Sequence, residues 1–179
     1  FWLSKPDVEL GESVRIMYVH VPTVAAAYLC MVTAAVASAW FLRTRSMFAD
    51  SLAETAGELG VILLGLTLVT GAIWGKATWG TYWTWDARLT TTAMLFLIWL
   101  GYTALRATDR DGDMATASAV VAVLGALLIP VVSKSVDWWQ SLHQQQTMFG
   151  TIDAKIDGTQ LFTLMLGMVV FGLFSVWMG

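Results

Sequence analysis

Apolar residues form long blocks along this chain, and five of the blocks are long enough to cross a bilayer. About 20 predominantly apolar residues span a hydrocarbon core of about 30 Å. Because lipid offers no partner to open backbone, each block is predicted to be a helix. We therefore expect an all-α, polytopic transmembrane helical bundle, a single membrane domain over residues 1–179, with predicted spans at 21–42, 59–75, 89–105, 114–133 and 159–179.

Two features of these blocks predict how the helices pack. Small residues crowd the first span and favour close helix–helix contact: Ala25, Ala26, Ala27, Ala34, Ala35, Ala37, Ser38 and Ala39. Pro130 is expected to bend the fourth span near its end, since proline donates no backbone hydrogen bond.

Counting the crossings places the chemically distinctive residues on one side of the membrane. His20 lies just before the first span, a tryptophan-rich loop at about 74–90 follows two crossings later, and His143 lies beyond two more. The opposite side holds only connectors near 43–58 and 106–113. Lysines and arginines do not decide the orientation: the connectors carry Arg43, Arg45, Arg106 and Arg110, and the other side carries Lys5, Arg15, Lys76, Arg88, Lys134 and Lys155.

The amino-acid composition further narrows the class of protein. The chain is 57% hydrophobic and only 13% charged, against roughly 25% charged in soluble domains. A net charge of −3 without a basic run argues against nucleic acid as a partner. The single cysteine, Cys30, excludes an internal disulfide, and no C-x-x-C-H haem attachment motif is present.

The loop reads Thr78-Trp79-Gly80-Thr81-Tyr82-Trp83-Thr84-Trp85-Asp86-Ala87-Arg88-Leu89-Thr90. Trp79 and Trp83 are four residues apart, so a helical turn would place them on one face, with Trp85 as a third ring and Trp74 one turn earlier. Flat rings at a membrane surface suit a large flat ligand such as a porphyrin. The alternative is the interfacial aromatic belt, which accounts well for the scattered Trp40 and Trp99.

The charged residues of the loop allow two interpretations each. Asp86 precedes the third span and is either its N-cap or a group that orients the ligand or an indole. Arg88 and Lys76 are either partners for ligand carboxylates or interfacial side chains that reach for water.

Neutral imidazole is the usual axial ligand of haem iron. His20 and His143 come from different loops on one side, and two such residues could hold an iron from both faces. Each could instead be a rim residue bonded to backbone. Pro22 fits the first turn if the helix begins beside it, and bends the helix beside His20 if the helix begins earlier.

Trp138 and Trp139 form a second aromatic patch that would lie along the membrane surface and direct His143 inward.

These residues carry a resemblance to a known family. The loop is similar to the tryptophan-rich "WWD" signature of haem-handling membrane proteins of cytochrome c biogenesis. Three further phrases resemble the haem exporter protein C (CcmC) family of the system I pathway: Arg15-Ile-Met-Tyr-Val-His-Val-Pro22, Thr70-Gly-Ala-Ile-Trp-Gly-Lys76 and Ser135-Val-Asp-Trp-Trp-Gln-Ser-Leu-His-Gln144. Members typically have six spans, so a first span is expected before Phe1, in addition to the five visible here.

The resemblance implies a function and its partners. His20 and His143 would be the axial ligands of haem b, and the tryptophan loop would face the periplasm of a bacterial inner membrane and hold the haem edge. The protein would deliver haem to the chaperone CcmE, in a complex with the CcmA and CcmB transporter subunits and the small CcmD.

Three other functions stay open. A haem lyase of the CcmF or CcsA type would be an enzyme, but such proteins are usually longer and richer in histidine. A b-type electron-transfer cytochrome usually places its histidines within the spans, and a haem channel would need a polar pathway through them. We see no nucleophile with a matching base, so we expect a delivery component rather than an enzyme.

Overall fold

The computed structural model describes residues 11–108, 114–143 and 158–178, and every regular element in these ranges is a helix. Five segments are long and apolar enough to cross a membrane, because two short consecutive helices form one segment, Ala115–Trp138. The predicted all-α bundle with five spans is confirmed. The helices are α1 (Val14–Thr44), α2 (Met47–Trp79), α3 (Ala87–Thr108), α4 (Ala115–Ala126), α5 (Leu128–Trp138) and α6 (Gly158–Met178).

Helices α1 and α2 form a long antiparallel hairpin. The predicted connector 43–58 is wrong in extent, because only Arg45 and Ser46 separate the two helices. Arg45 adopts a left-handed conformation, φ 56°, and its N–H donates to the Phe41 carbonyl at 2.8 Å. The Ser46 side chain accepts a hydrogen bond from the Ala49 N–H at the start of α2. These two caps let one helix end and the next begin within two residues.

Small residues bring the helices close together, as predicted for the first span. Ala27 and Ala34 of α1 are fully buried. A Cβ at Gly60 of α2 would lie 3.0 Å from Met31 Cγ, and one at Gly167 of α6 would lie 2.9 Å from the Tyr18 carbonyl oxygen. Both glycines therefore permit backbone contacts that a larger residue would push apart.

Helix α1 starts earlier than the apolar block suggested. It begins at Val14, so His20 and Pro22 lie inside the helix and not just before it. Val14 and Tyr18 are buried with Leu164 of α6, and this packing stabilises the extra turns. Of the two interpretations of Pro22, the earlier helix start is the one observed.

The fourth span is interrupted at Leu127, between α4 and α5. Pro130 has no N–H to donate to the carbonyl four residues before it, which weakens the helix at this point. The Leu127 N–H donates instead to the Leu124 carbonyl at 3.2 Å. The interruption lies near the middle of the segment, three residues before Pro130, and the bend predicted from Pro130 stays a prediction.

Trp99 was assigned to the aromatic belt, and this interpretation is wrong. Its side chain is fully buried, and its ring packs against Tyr102 with the centroids 5.3 Å apart. Trp40 is half exposed and contacts Phe48 edge-on, which is consistent with the belt. An apolar ring in a span can face lipid or a neighbouring helix, and only the packing distinguishes the two.

The succession of spans gives the bundle two ends of different character. The site end collects the starts of α1, α3 and α6 and the ends of α2 and α5. The opposite end is held by a buried ion pair between α2 and α3, in which Arg106 Nη1 lies 2.7 Å from Asp50 Oδ1. Arg106 also donates to the Asp50 carbonyl at 2.7 Å, and Glu54 lies farther away at 3.7 Å.

The predicted connector 106–113 is described only in part. Helix α3 includes its residues up to Thr108, and 109–113 lie outside the described residues.

Candidate functional site

The tryptophan-rich segment 74–90 is helical at both ends and irregular in between. Helix α2 ends at Trp79 because Gly80 adopts a left-handed conformation, φ 77°, which glycine tolerates without strain. Lys76 Nζ donates to the Gly80 carbonyl at 2.8 Å. The prediction that Trp79 and Trp83 lie on one helical turn is therefore wrong, since the helix stops between them.

The rings of this segment divide into inward and outward groups. Trp79 is partly buried and meets the His143 ring edge-on, with the centroids 4.6 Å apart. Trp83 contacts Trp85 in a perpendicular arrangement at 5.7 Å. Trp85 is 82% exposed, and Tyr82 is also exposed. The loop thus packs one ring against a histidine and presents another to the surroundings.

Asp86 is the centre of the site's hydrogen bonding. Its Oδ1 accepts from the Arg88 N–H at 2.8 Å and from the Leu89 N–H at 3.3 Å, which makes Asp86 the N-cap of α3. Its Oδ2 accepts from Ser141 Oγ at 2.5 Å and from the Leu142 N–H at 2.9 Å. One carboxylate therefore joins the start of α3 to the chain that follows α5.

His143 is held by the same carboxylate. Its Nδ1 lies 3.2 Å from Asp86 Oδ1, and its backbone N–H donates to Ser141 Oγ at 3.1 Å. The N-cap interpretation of Asp86 is thus the one observed, and that Asp86 also orients a ligand or an indole stays a prediction. Ser141 connects Asp86 with His143, because its hydroxyl donates to Asp86 and accepts from His143.

The ionisation of this pair follows from its surroundings. Burial by itself would raise the pKa of Asp86, but hydrogen bonds from Ser141, Leu142 and Leu89 outweigh it and lower the pKa below its ordinary value. Burial lowers the pKa of His143, and the nearby charge of Arg88 adds to this effect, against the opposing charge of Asp86. At neutral pH the contact is therefore a hydrogen bond from neutral imidazole to carboxylate.

His20 lies against α2, on the deeper side of the site end. Its Nδ1 is 3.0 Å from Thr70 Oγ1, and its ring lies 6.0 Å from the Trp74 ring. A Cβ at Gly71 would come within 3.0 Å of His20 Cε1, so glycine makes room for the imidazole. The Thr70 hydroxyl is 2.8 Å from the Leu66 carbonyl of its own helix and donates there, which leaves its oxygen to accept from His20.

Both histidines are consequently in the same tautomer. Because a carboxylate and an engaged hydroxyl oxygen both accept, Nδ1 carries the proton in His143 and in His20. The side-chain hydrogen bonds that hold the two rings both use Nδ1, which leaves Nε2 for another partner. Each ring thus keeps an unshared electron pair available for a ligand.

The other predicted residues lie around this pair. Arg88 Nη2 donates to the Ser133 carbonyl at 3.2 Å, and the charge of Arg88 acts on both histidines. Trp138 and Trp139 are exposed at the end of α5 and contact each other edge-on at 5.9 Å. Their predicted roles in ligand binding stay predictions.

Sequence reasoning missed two residues that hold the imidazoles, Ser141 and Thr70. Each is a small hydroxyl residue, and membrane helices and loops contain many of these. Ser141 lies two residues before His143, a spacing at which a serine can bond to the following backbone. Nothing in the spacing of Thr70 and His20, 50 residues apart, indicates their contact.

Two further polar atoms at this end are buried and lack a hydrogen-bond partner within the described ranges. They are the Trp74 indole nitrogen, next to His20, and the Thr84 hydroxyl. A shallow depression of about 450 Å³ opens beside Thr84 and is lined by Thr84, Trp85, Asp86, Gln140, Ser141 and Leu142. Such donors are costly to bury unless a ligand or water satisfies them.

The donor set suits a porphyrin better than a bare metal ion. No group of three or more His, Cys, Asp or Glu in the described residues could hold an ion. Two neutral imidazoles suit an iron whose other four ligands come with the porphyrin. The described residues thus fit a haem, with His20 and His143 as candidate ligands and aromatic rings beside both.

The arrangement also differs from a hydrolytic triad of the same residue types. In such a triad the histidine accepts the serine proton and the carboxylate supports the histidine from behind. Here Ser141 Oγ donates to Asp86, and only the His143 backbone contacts that oxygen. The serine hydroxyl is therefore hydrogen-bonded to the carboxylate and not to the imidazole, unlike in a triad.

Comparison with known proteins identifies a family that matches this chain. The family model described as "Heme exporter protein C" (CcmC) matches residues 1–179. A heme exporter protein C from Bradyrhizobium diazoefficiens is 38% identical over 97% of this chain and 66% of its own length. A protein from Haemophilus influenzae with the same description is 36% identical over 96% of this chain and 70% of its own length.

A relative outside the bacteria is similar as well. A putative cytochrome c biosynthesis ccmC-like mitochondrial protein from Marchantia polymorpha is 40% identical over 84% of this chain. The chain spans about two thirds of the length of these curated relatives. Because the family model covers every residue and the identities exceed a third over most of the chain, this chain belongs to the haem exporter protein C family of cytochrome c biogenesis.

Proposed function

We propose that this protein binds one haem at the site end and delivers it to the haem chaperone CcmE for maturation of c-type cytochromes. The observation that carries the proposal is the pair of imidazoles. Each has its Nδ1 engaged by the protein, Asp86 for His143 and Thr70 for His20, and each has its Nε2 available. A haem bound there would supply the iron that these nitrogens coordinate.

The surrounding residues have supporting roles in this proposal. Trp79, Trp83 and Trp85 cover the porphyrin, and Arg88 contributes positive charge for the propionates. Asp86 acts by positioning His143 rather than by touching haem, since both of its oxygens are occupied by protein donors. CcmA, CcmB and CcmD are the proposed partners, in a bacterial inner membrane.

Replacing Trp83 and Trp85 with Leu is expected to reduce haem transfer to the chaperone. Leucine keeps the loop apolar but loses ring stacking, which contributes about 0.5–1.5 kcal/mol per aromatic pair, or roughly two- to tenfold in binding. The measurement is haem attached to CcmE in cells, normalised to the level of each variant in the membrane.

The matched control is the pair Trp40→Leu and Trp177→Leu, two exposed tryptophans outside the site. Trp99 is unsuitable because it is buried in the core. If the control pair lowers transfer as much as the loop pair, the rings serve as membrane anchors and the proposal for the loop is wrong.

The proposal also requires the site end to face the periplasm. Three basic residues of this end are engaged within the chain, since Lys76 bonds to Gly80, Arg88 to Ser133 and Lys134 to Asp137. They therefore need not act as orientation signals. Lys5, Lys155 and Arg110 lie outside the described residues.

Cysteine labelling tests this orientation. With Cys30 replaced by Ala, a cysteine at Thr159, exposed at the start of α6, is expected to react with a membrane-impermeant thiol reagent in intact cells. A cysteine at Thr108, exposed at the end of α3, should react only after lysis. The reverse pattern would exclude delivery on the periplasmic side.

A further inference from the structure

The two histidines lie at different depths in the bundle. His143 follows α5 and meets Trp79 at the last residue of α2. His20 is bonded to Thr70, nine residues before that helix end. Thr70 and Trp79 are nine residues apart along α2, so the two rings contact that helix at different levels. His143 is thus the outer ring and His20 the inner one.

The two rings also donate their Nδ1 protons to different kinds of acceptor. His143 donates its Nδ1 proton to a carboxylate, and His20 donates to a neutral hydroxyl, beside which the Thr67 carbonyl provides a second neutral acceptor. Hydrogen bonds to an ionised group are roughly twice as strong as neutral ones. This difference outweighs the slightly longer distance in His143, 3.2 Å against 3.0 Å.

A carboxylate behind an imidazole makes the opposite nitrogen a stronger donor to a metal. The Asp86 carboxylate is itself held by donors from Ser141, Leu142, Arg88 and Leu89, so it cannot turn away from His143 without losing them. The Thr70 hydroxyl has no such network: apart from His20, its hydrogen-bond partners among the described residues are carbonyls of its own helix.

We propose that these differences order the release of haem: His20 is the ligand that is exchanged first, while Asp86 and Ser141 keep His143 bonded. This inference rests on the proposed function, in which both histidines coordinate the iron. Haem that leaves toward the open site end moves away from His20, the inner ring. The depth of the two histidines and the donor strength of their nitrogens therefore favour the same order. Asp86 and Ser141 are positioning residues in this scheme.

The exchange is a ligand substitution without electron transfer. The bond between iron and His20 Nε2 breaks, and its electron pair stays on the imidazole. An incoming nitrogen donor of the imidazole class forms the new bond with its own electron pair. The Nδ1 proton of His20 remains on the ring, bonded to Thr70 throughout.

The single histidine variants provide the first test. The protein, purified from haem-replete membranes with its natural partners, is compared as His20→Ala and as His143→Ala by absorption spectrum and haem content per chain. We expect His20→Ala to retain about tenfold more haem than His143→Ala. The reason is that His20→Ala loses the weaker of the two ligands, whereas His143→Ala loses the stronger one. Equal retention, or the reverse order, would overturn the proposal.

The positioning role of Asp86 is tested in both backgrounds. Asp86→Asn keeps an N-cap for α3 and removes the charge. In the His20→Ala background it should lower haem retention by a further 10–100-fold, because His143 is then the sole ligand. In the His143→Ala background it should change nothing. A purely structural role would lower retention in both backgrounds, and this result would contradict the inference.

Variants of Ser141 and Thr70 provide a further test of the order of release. Ser141→Ala should act like Asp86→Asn but more weakly, and Ser141→Thr should restore retention. Binding of carbon monoxide to the reduced protein reports directly on the ligand that dissociates first. Thr70→Val should speed this binding by about tenfold, and Asp86→Asn should leave it nearly unchanged; the opposite pattern would make His143 the exchanged ligand.

Failure of the inference and failure of the proposed function give different results. If neither histidine variant alters haem content or the spectrum, the histidines do not bind haem, and the proposed function is wrong. If both variants lose haem equally, the proposed function holds and the order of release does not.

Discussion

The double variant His20→Ala, His143→Ala is expected to retain no haem when purified from membranes in which the unaltered protein is loaded. The chain contains two histidines, so no other imidazole can replace them. The described residues also form no alternative cluster of metal-binding side chains. Loss of both axial bonds leaves only ring stacking and charge to hold the porphyrin.

The measurement is the absorption spectrum together with haem content per chain. The unaltered protein should give the low-spin spectrum of an iron with two imidazole ligands. Membrane level and thermal unfolding of the haem-free double variant serve as controls, because His143 packs against Trp79 and its removal also removes that contact. Unchanged haem content in a folded double variant would reject axial ligation by these residues.

Asp50→Ala is expected to destabilise the fold by about 3–5 kcal/mol, because it removes the carboxylate that pairs with a buried guanidinium. The Arg106 side chain is only 5% exposed, its Nη1 pairs with the Asp50 carboxylate, and its Nη2 bonds to the Asp50 backbone carbonyl, which the variant keeps. The protein should unfold at a markedly lower temperature in detergent, and protease should cut it sooner. Haem binding at the distant site end is affected only through this loss of stability.

Two variants separate the ion pair from other causes. Glu54→Ala should cost less than about 1 kcal/mol, since Glu54 is 46% exposed and lies 3.7 Å from Arg106. Asp50→Ala combined with Arg106→Met should recover most of the stability, because no unpaired charge remains. Equal effects of Asp50→Ala and Glu54→Ala would show that the buried pair does not hold α2 against α3.

The two ends of the bundle have different roles, so the histidine variants are expected to change haem binding and Asp50→Ala is expected to change stability. At the opposite end, Arg106 Nη1 and the Asp50 carboxylate pair with each other, and this pair contributes to the fold. At the site end, Asp86 is satisfied by protein donors, whereas Trp74 and Thr84 each keep a buried polar atom without a partner in the described part of the chain. Buried polar atoms without a partner in the described ranges also occur outside the site end, among them Arg106 Nε and the Tyr102 hydroxyl, so they do not by themselves mark a binding site.

Much of the architecture was predictable because a bilayer restricts the possibilities. Apolar length predicts the spans, and lipid requires them to be helices. The crossing count then places His20, His143 and the tryptophan loop at one end, and the contacts of Thr70 with His20 and of Trp79 with His143 confirm it. The tryptophan-rich motif by itself indicates the family.

Several details could not be predicted, because they depend on which surfaces meet. Helix α1 extends past the apolar block to Val14, where Val14 and Tyr18 pack against Leu164. Trp99 faces the core rather than lipid, although its composition suits either. Helix α2 stops at Trp79, so two tryptophans with helical spacing do not share a face.

The sequence by itself determined the five spans, their common site end and the residue types available there, since these follow from hydropathy and crossing number. Only the tertiary structure decided what those residues do to one another. It brought Asp86 and Ser141 to His143 across more than 50 residues, and Thr70 to His20 across 50. Tautomer, charge and donor strength depend on contacts of about 3 Å, and such contacts between distant segments are set by helix packing, which no local pattern encodes.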